Sequence, residues 1–264
     1  MPDPTDPAHG EQEPAFARAL LNLVQVRADT TTATLTRCLV GHCLDLLPVD
    51  SAGVMLVAPA MKAGPAAERA AVEVAATSHE VLRPMEAYEI ESAQGPCMEA
   101  LRTGRPHNVP DFAVGRPRWP GLALRAAAAG YRAMWAEPLC DDDRALGVVH
   151  LYRRTTGPLS PRHQERARSL ARAAAAGLLL QRTLTDYQLR AEQLQQALWS
   201  RIPIEQAKGI LAARLVLSPN AAFGVLRTHA RAQQMRLHDL AGLLIDDPAG
   251  PWPPPPPRPN GQGR

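Results

Sequence analysis

The sequence predicts an α+β domain built around one sheet, then a long coiled-coil helix, then a small bundle of three short helices. Three observations predict this. Between residues 51 and 154, short apolar runs bounded by turn residues alternate with helix-like segments. From Ser160 onward, apolar residues recur at spacings of three and four for about four heptads. Beyond Pro203, three short segments each carry a single apolar stripe.

The chain has 264 residues, enough for one large domain or two small ones, each with its own core. Aromatic residues make up only 4%, so alanine must carry much of the packing, which favours helices. The net charge of +3 neither demands nor excludes a polyanionic partner, and the charge argument must be local. Lys62 and Lys208 are the two lysines; the other cations are arginines, which makes Lys208 conspicuous. The first residues, MPDPTDPAHGEQEP, are polar and proline-rich, unlike a signal peptide. No stretch reaches the ~20 apolar residues of a membrane helix. A cytoplasmic location with reduced thiols is expected. Cys38, Cys43, Cys97 and Cys140 lack zinc-ligand spacing, so no metal site is expected, and no cofactor is identified.

Taken in order, residues 1–14 read as a disordered leader. Residues 15–47 carry two helical stripes, Leu20, Leu23, Val24 and then Leu35, Leu39, Cys43, Leu46, broken near Asp29-Thr30. Ala52–Val57 reads as a buried strand and Val72–Ala75 as a second. Pro96–Thr103 reads as a helix with Pro at an early position, and Gly104-Arg105-Pro106 turns the chain into His107-Asn108-Val109. Leu122–Ala129 is a helix closed by Gly130. Ala133–Ala136 and Leu146–Tyr152 are strands joined by the turn Asp141-Asp142-Asp143.

Strand Gly53–Val57, the segment Gln94-Gly95-Pro96-Cys97-Met98-Glu99-Ala100, the turn Thr103–Pro106 and the last strand Gly147–Tyr152 together resemble a GAF domain over about residues 20–180. The resemblance implies a sensory domain, here residues 15–160, with an antiparallel sheet and a ligand pocket on one face. Met55, Cys97, Met134 and Trp135 are the candidates to line that pocket, with packing in the core as the alternative. The resemblance names no ligand beyond an unidentified small molecule.

The connecting helix, residues 161–200, opens with Ser160 as N-cap and Pro161 at its first position. Its seam runs Leu170, Ala173, Gly177, Leu180, Leu184, Tyr187, Ala191, Leu194 and Leu198. The seam either pairs two copies of the chain in a homodimer or packs back on its own sheet, and residues 170–180 are apolar enough to do both. Pro203 is expected to interrupt the helix. Ile204, Ala207, Leu211 and Leu215 then form one stripe, Ala222, Phe223, Leu226 and Ala230 a second, and Leu237, Leu240, Ala241 and Leu244 a third. Ser218-Pro219 starts the second of these helices. Residues 248–264, with prolines at 253–257, read as a disordered tail.

Ser200-Arg201, Ile204-Glu205-Gln206-Ala207-Lys208-Gly209, Ala222-Phe223, Leu226-Arg227 and Ala230-Arg231 resemble the ANTAR domain, the three-helix RNA-binding module of bacterial transcription antiterminators. The resemblance places the RNA-binding module at residues 201–247. Arg201, Gln206, Lys208, Gly209, Arg227 and Arg231 are the candidate RNA-binding residues. Ala207, Gly209 and Ala222 fall on positions that permit close helix packing. Pro203, and Ala212 where the family often has Met, depart from the pattern. Without the resemblance, Arg201, Glu205 and Lys208 would read as a solvated ion-pair ladder.

The resemblance implies a signal-responsive antiterminator, not an enzyme. The sensory domain governs dimeric binding of tandem hairpins in nascent transcripts, touches RNA polymerase only indirectly and needs no membrane. Two other functions stay open at this point. One is a DNA-binding regulator, since Arg-bearing helices can enter a major groove. The other is a thiol reductase, in which Cys97 at a helix N-terminus would have a lowered pKa. No Gly-x-Ser-x-Gly elbow or phosphate-binding loop occurs.

Overall fold

A computed structural model describes residues 7–58, 72–113, 118–142 and 144–251. The chain divides into two compact units, Met1–Thr185 and Asp186–Arg264. The boundary falls inside one continuous helix, so residues 161–185 pack with the first unit.

The first unit starts with two helices, α1 (Pro7–Val24) and α2 (Thr32–Leu46). The Thr31 side chain caps α2 by accepting the Thr34 N–H at 3.1 Å. Strands β1 (Ser51–Val57) and β2 (Val72–Thr77) follow, then a short 3-10 turn (Glu80–Leu82) and helices α3 (Arg83–Ser92) and α4 (Pro96–Thr103). Next come β3 (His107–Val109), α5 (Pro120–Ala128), β4 (Ala133–Asp141) and β5 (Arg144–Arg153). The strands form one five-stranded sheet in the order β2-β1-β5-β4-β3, and every neighbouring pair is antiparallel. The β4–β5 pairing extends to Asp141 opposite Arg144, the hairpin read at the three aspartates; residue 143 lies outside the described residues.

Successive strand side chains point to opposite faces, and both faces are covered. On one, Ala52, Val54, Leu56, Trp135, Leu139, Val149 and Leu151 meet α1, α2 and the long helix α6 (Pro161–Leu215). On the other, Met55, Met134, Ala136, Val148 and Tyr152 meet α3, α4 and α5. The alternation visible in β1 is thus a split between two cores rather than between core and water.

Two expectations are corrected. The segment 1–14 was expected to be a disordered leader, but α1 begins at Pro7. Glu13 accepts hydrogen bonds from Arg162 at 2.7 Å and Arg166 at 2.8 Å, which ties that segment to α6. Residues 1–6, and residues 252–264 of the expected proline-rich tail, lie outside the described residues. Second, Pro203 does not interrupt the helix: α6 runs from Pro161 to Leu215 through it. An interior proline costs about 3 kcal/mol or more through one lost hydrogen bond and a ring clash, confined to one turn. On its C-terminal side Ile204, Ala207 and Leu211 are held in a packed core. Of the two fates left open for the heptad seam, its start takes packing on the sheet. Leu170 is fully buried against the sheet, whereas Leu180, Tyr187 and Leu194 are 44%, 65% and 67% exposed.

Gly177 marks where α6 meets α1. A Cβ there would stand 2.0 Å from the backbone carbonyl oxygen of Leu23, and a backbone atom cannot swing aside. Gly177→Ala is therefore expected to destabilise the first unit by about 1–3 kcal/mol through overpacking. Thermal melting of the variant beside the parent chain checks this; an unchanged or raised melting temperature would contradict the close approach.

Candidate nucleic-acid interface and sensory interior

The second unit contains the end of α6, helix α7 (Pro219–Ala232) and helix α8 (Leu237–Asp246). The chain bends by 107° between Arg201–Leu215 and Pro219–Ala232. Ser218 caps α7 by accepting the Ala221 N–H at 3.3 Å, with Pro219 in the first turn. Ala207, Leu211, Ala222, Leu226, Ala230, Leu240, Ala241 and Leu244 make the core. Alanines supply half of that core, so the three helices approach closely. Leu215, expected in the first stripe, is 40% exposed because the helix ends there and the chain turns away. Val216 follows in a left-handed conformation with φ 54° and is 91% exposed.

The sequence-predicted RNA-binding residues lie outside this core. Arg201, Gln206 and Gly209 are exposed on α6, and Arg227 and Arg231 are exposed four apart on α7. Lys208 is half-buried and ion-paired with Glu205. Such exposed helical pairs are worth only a few tenths of a kcal/mol, so the pair does not withhold Lys208 from a phosphate. Gly209 differs from the expectation. A Cβ on it would meet nothing within 4 Å, so close packing within the chain is not why glycine stands there. Ala207 and Ala222, at 0% exposure, do serve that purpose. Ala212 packs against the core's edge, which makes its shortness a packing matter. Arg214 is spent on structure: its guanidinium donates to the carbonyls of Pro248 at 2.9 Å and Gly250 at 2.8 Å.

The proposed sensory-pocket residues are not brought together as a set. Met55, Cys97 and Met134 pack in the core beneath α3, α4 and α5, at 0%, 0% and 1% exposure. Trp135 lies on the opposite face, because it follows Met134 in the same strand. Its indole N–H donates to Glu137 Oε2 at 2.9 Å. None of the four lines the ≈ 560 Å³ cavity that opens beside β4 and α6.

Around Cys97 the structure assembles a polar cluster that sequence reasoning missed. His150 Nε2 and Glu86 Oε1 are 3.0 Å apart, and both side chains are buried. Glu89 Oε1 accepts the Cys97 N–H at 2.9 Å. Ser51 Oγ and Tyr131 OH are 2.5 Å apart. Glu86 Oε2, Glu89 Oε2, His150 Nδ1 and Tyr152 OH are buried without a hydrogen-bond partner among the described residues. The available signal was His150, a polar residue inside the apolar run Gly147–Tyr152. Gly53 and Gly95 make room for the cluster: a Cβ on Gly53 would stand 2.3 Å from His150 Nε2, and one on Gly95 would stand 2.0 Å from Glu89 Oε1.

Burial dominates the acid–base behaviour here. It pushes the Glu89 carboxyl up to about 7 and the Cys97 thiol well above its ordinary value, with the Glu89 charge adding to the latter. The expected activation of Cys97 by a helix N-terminus is thus reversed, and a buried neutral thiol is a poor nucleophile.

A family model described as GAF domain matches residues 29–178, and one described as ANTAR domain matches residues 192–245. No curated protein matches the chain. Similar solved structures include a domain of a putative two-component sensor histidine kinase from Sinorhizobium meliloti 1021, at 17% identity and TM-score 0.45 over 61% of this chain and 99% of that one. Another is the chromophore-binding domain of a bacteriophytochrome from R. palustris, at 13% identity and TM-score 0.47 over 66% and 63%. A third is the GAF domain of a phosphoenolpyruvate-protein phosphotransferase from Coxiella burnetii, at 14% identity and TM-score 0.45 over 64% and 95%.

A carboxyl raised from its ordinary value to about 7 favours folding while protonated, so that contribution is full below pH 4.5 and is lost as pH rises through about 7. Glu89→Gln, which keeps an acceptor for the Cys97 N–H, is expected to flatten the stability–pH curve over that window and to exceed the parent above pH 7. Urea unfolding at both ends of the window measures this, and an unchanged slope would contradict it.

Proposed function

Since this chain belongs to the GAF domain family and carries an ANTAR domain at residues 192–245, we propose that it is a signal-responsive, RNA-binding transcription antiterminator. GAF domains are sensory and ANTAR domains are RNA-binding antiterminator domains. The observation that carries the reading is the division of labour in the second unit. Its core is closed by apolar residues alone, while Arg201, Gln206, Gly209, Arg227 and Arg231 are left exposed and Lys208 is held only by a surface pair.

The chemistry suits hairpin RNA. Loop bases that leave the stack can lie on a guanidinium plane or meet its donors, and phosphates supply salt-dependent affinity. Gly209, with open space above its Cα, lets a nucleotide backbone approach α6 closely. Exposed Leu180, Tyr187 and Leu194 on α6 support pairing of two copies along the second half of the seam. Two linked modules then gain avidity on tandem hairpins whose spacing matches theirs. In this reading the protein works in the cytoplasm on nascent transcripts and meets RNA polymerase only through them; no single described helix is long and apolar enough to cross a membrane.

Fluorescence anisotropy of the full chain on a paired-hairpin RNA tests this, beside a matched DNA duplex. Lys208→Ala and Arg201→Ala are each expected to weaken RNA binding by about tenfold and to lower the salt slope by about one. Equal, weak binding of RNA and DNA by all three proteins would overturn the reading, and preference for the duplex would favour a DNA-binding regulator. Leu194→Glu is expected to shift the chain from dimer to monomer in sedimentation and to remove the gain from a second hairpin, while single-hairpin binding persists.

A further inference from the structure

The ≈ 560 Å³ cavity of the first unit has the size of a small-molecule site, within the usual range of roughly 300–1,000 Å³. One wall is a face of α6: Arg168, Arg172, Ala176 and Leu179 recur at helical spacing, and Ala176 leaves the space open. The facing wall is the end of β4, with Glu137, Cys140, Asp141 and Asp142.

The charges on these walls are unequally used. Glu137 is 3% exposed; its Oε2 accepts the Trp135 indole N–H, and its Oε1 lies 3.7 Å from Arg168 Nε. Arg168 also donates to Glu165 at 3.0 Å. Arg168 is therefore committed. Arg172 forms no ion pair within 4 Å among the described residues, and neither does Asp141 or Asp142. Asp142 is presented by a left-handed turn at φ 47°. The cavity thus offers, on one wall, a guanidinium that acts on Glu137 only at longer range and makes no direct ion pair and, on the other, two carboxylates without an ion pair within 4 Å among the described residues.

A simple anion would meet Arg172 but would be repelled by three acids. A simple cation would meet the aspartates and leave Arg172 unpaired. A molecule with both charges satisfies both walls. We propose that this cavity binds a compact zwitterion of the α-amino-acid class, with its carboxylate on Arg172 and its ammonium on Asp141 and Asp142. The proposal rests on reading the first unit as a sensory domain, and it makes this cavity the signal site. It differs from the interior cluster around Cys97, whose polar atoms are enclosed beneath α3, α4 and α5. The ligand would touch α6, the helix that also bears the exposed seam, so its binding energy acts directly on the element proposed to join two copies.

Cys140 provides a local readout, because it lines the cavity and is half-buried. Cys38 is exposed on α2 and does not line it. Iodoacetamide labelling of the full chain, followed by peptide mass spectrometry, is run with each proteinogenic L-amino acid at millimolar concentration, and with acetate and ethylamine as single-ended probes. At least one amino acid is expected to slow labelling of Cys140 by 1 + [L]/Kd, about tenfold at roughly ten times Kd, with Cys38 unaffected. Arg172→Ala and Asp142→Asn are each expected to abolish the protection; asparagine tolerates the left-handed turn, so the second variant keeps the hairpin. Absence of protection by every amino acid, equal protection by acetate or ethylamine, or full protection of Arg172→Ala would overturn the proposal. Hairpin binding on the same preparation separates the two readings: RNA binding without Cys140 protection removes the cavity assignment alone, and protection without RNA binding removes the antiterminator reading alone.

Discussion

The first unit depends on burying β1 and β5 on both faces. Every residue of β1 but the last is buried, and it pairs with β2 on one side and β5 on the other. A strand in that position has no water-facing side, so the sheet requires a helical layer above and below. That requirement recruits α1, α2 and the start of α6 to one face and α3, α4 and α5 to the other. It also explains why α6 cannot be a free-standing coiled coil. Its residues Leu170, Ala171, Ala174, Ala175 and Leu178 belong to the core, and at Gly177 the helix rests on the Leu23 carbonyl. Where this obligation ends, leucine and tyrosine come to the surface of the same helix.

The face beneath α3 and α4 accepts a cost for its contents. Four buried polar atoms without a hydrogen-bond partner among the described residues would each cost about 1–3 kcal/mol. Such groups persist where a structure uses them, or where protonation removes the charge. Burial has the second effect on Glu89, and it also quiets Cys97. Thiol chemistry therefore has little support from this geometry. The walls of the cavity beside β4 are built differently, from charges at the surface rather than charges sealed away.

In the second unit the same economy of size appears in another form. Alanine at 207, 222, 230 and 241 lets three short helices close a core with few large side chains. The outside carries Arg201, Gln206, Gly209, Arg227 and Arg231 among other exposed residues such as Glu205, Ile202 and Val216. Arg214, by contrast, fastens the segment after α8. Exposure alone does not identify a binding residue. The distinction between Arg214 and Arg201 lies in which one the fold already employs.

Much of this was legible in the sequence because it is periodic or local. Strand and helix positions, the Ser160 and Ser218 starts and the apolar stripes of the second unit follow from spacings of two, three and four and from capping chemistry. The GAF and ANTAR resemblances stood on contiguous motifs and hold. What the sequence could not determine depends on partners distant along the chain. The interruption expected at Pro203 assumed an isolated helix, whereas packing on one side carries the helix through. The pocket assigned to Met55, Cys97, Met134 and Trp135 ignored that adjacent strand residues face different layers. The pairing of His150 with Glu86, 64 positions apart, has no local trace beyond one polar residue in an apolar strand. The sequence by itself determined which faces are apolar and which families the two halves resemble. Only the tertiary structure decided which face each helix covers, which charges are spent and which remain free, because burial and ion pairing are set by what else arrives at the same place.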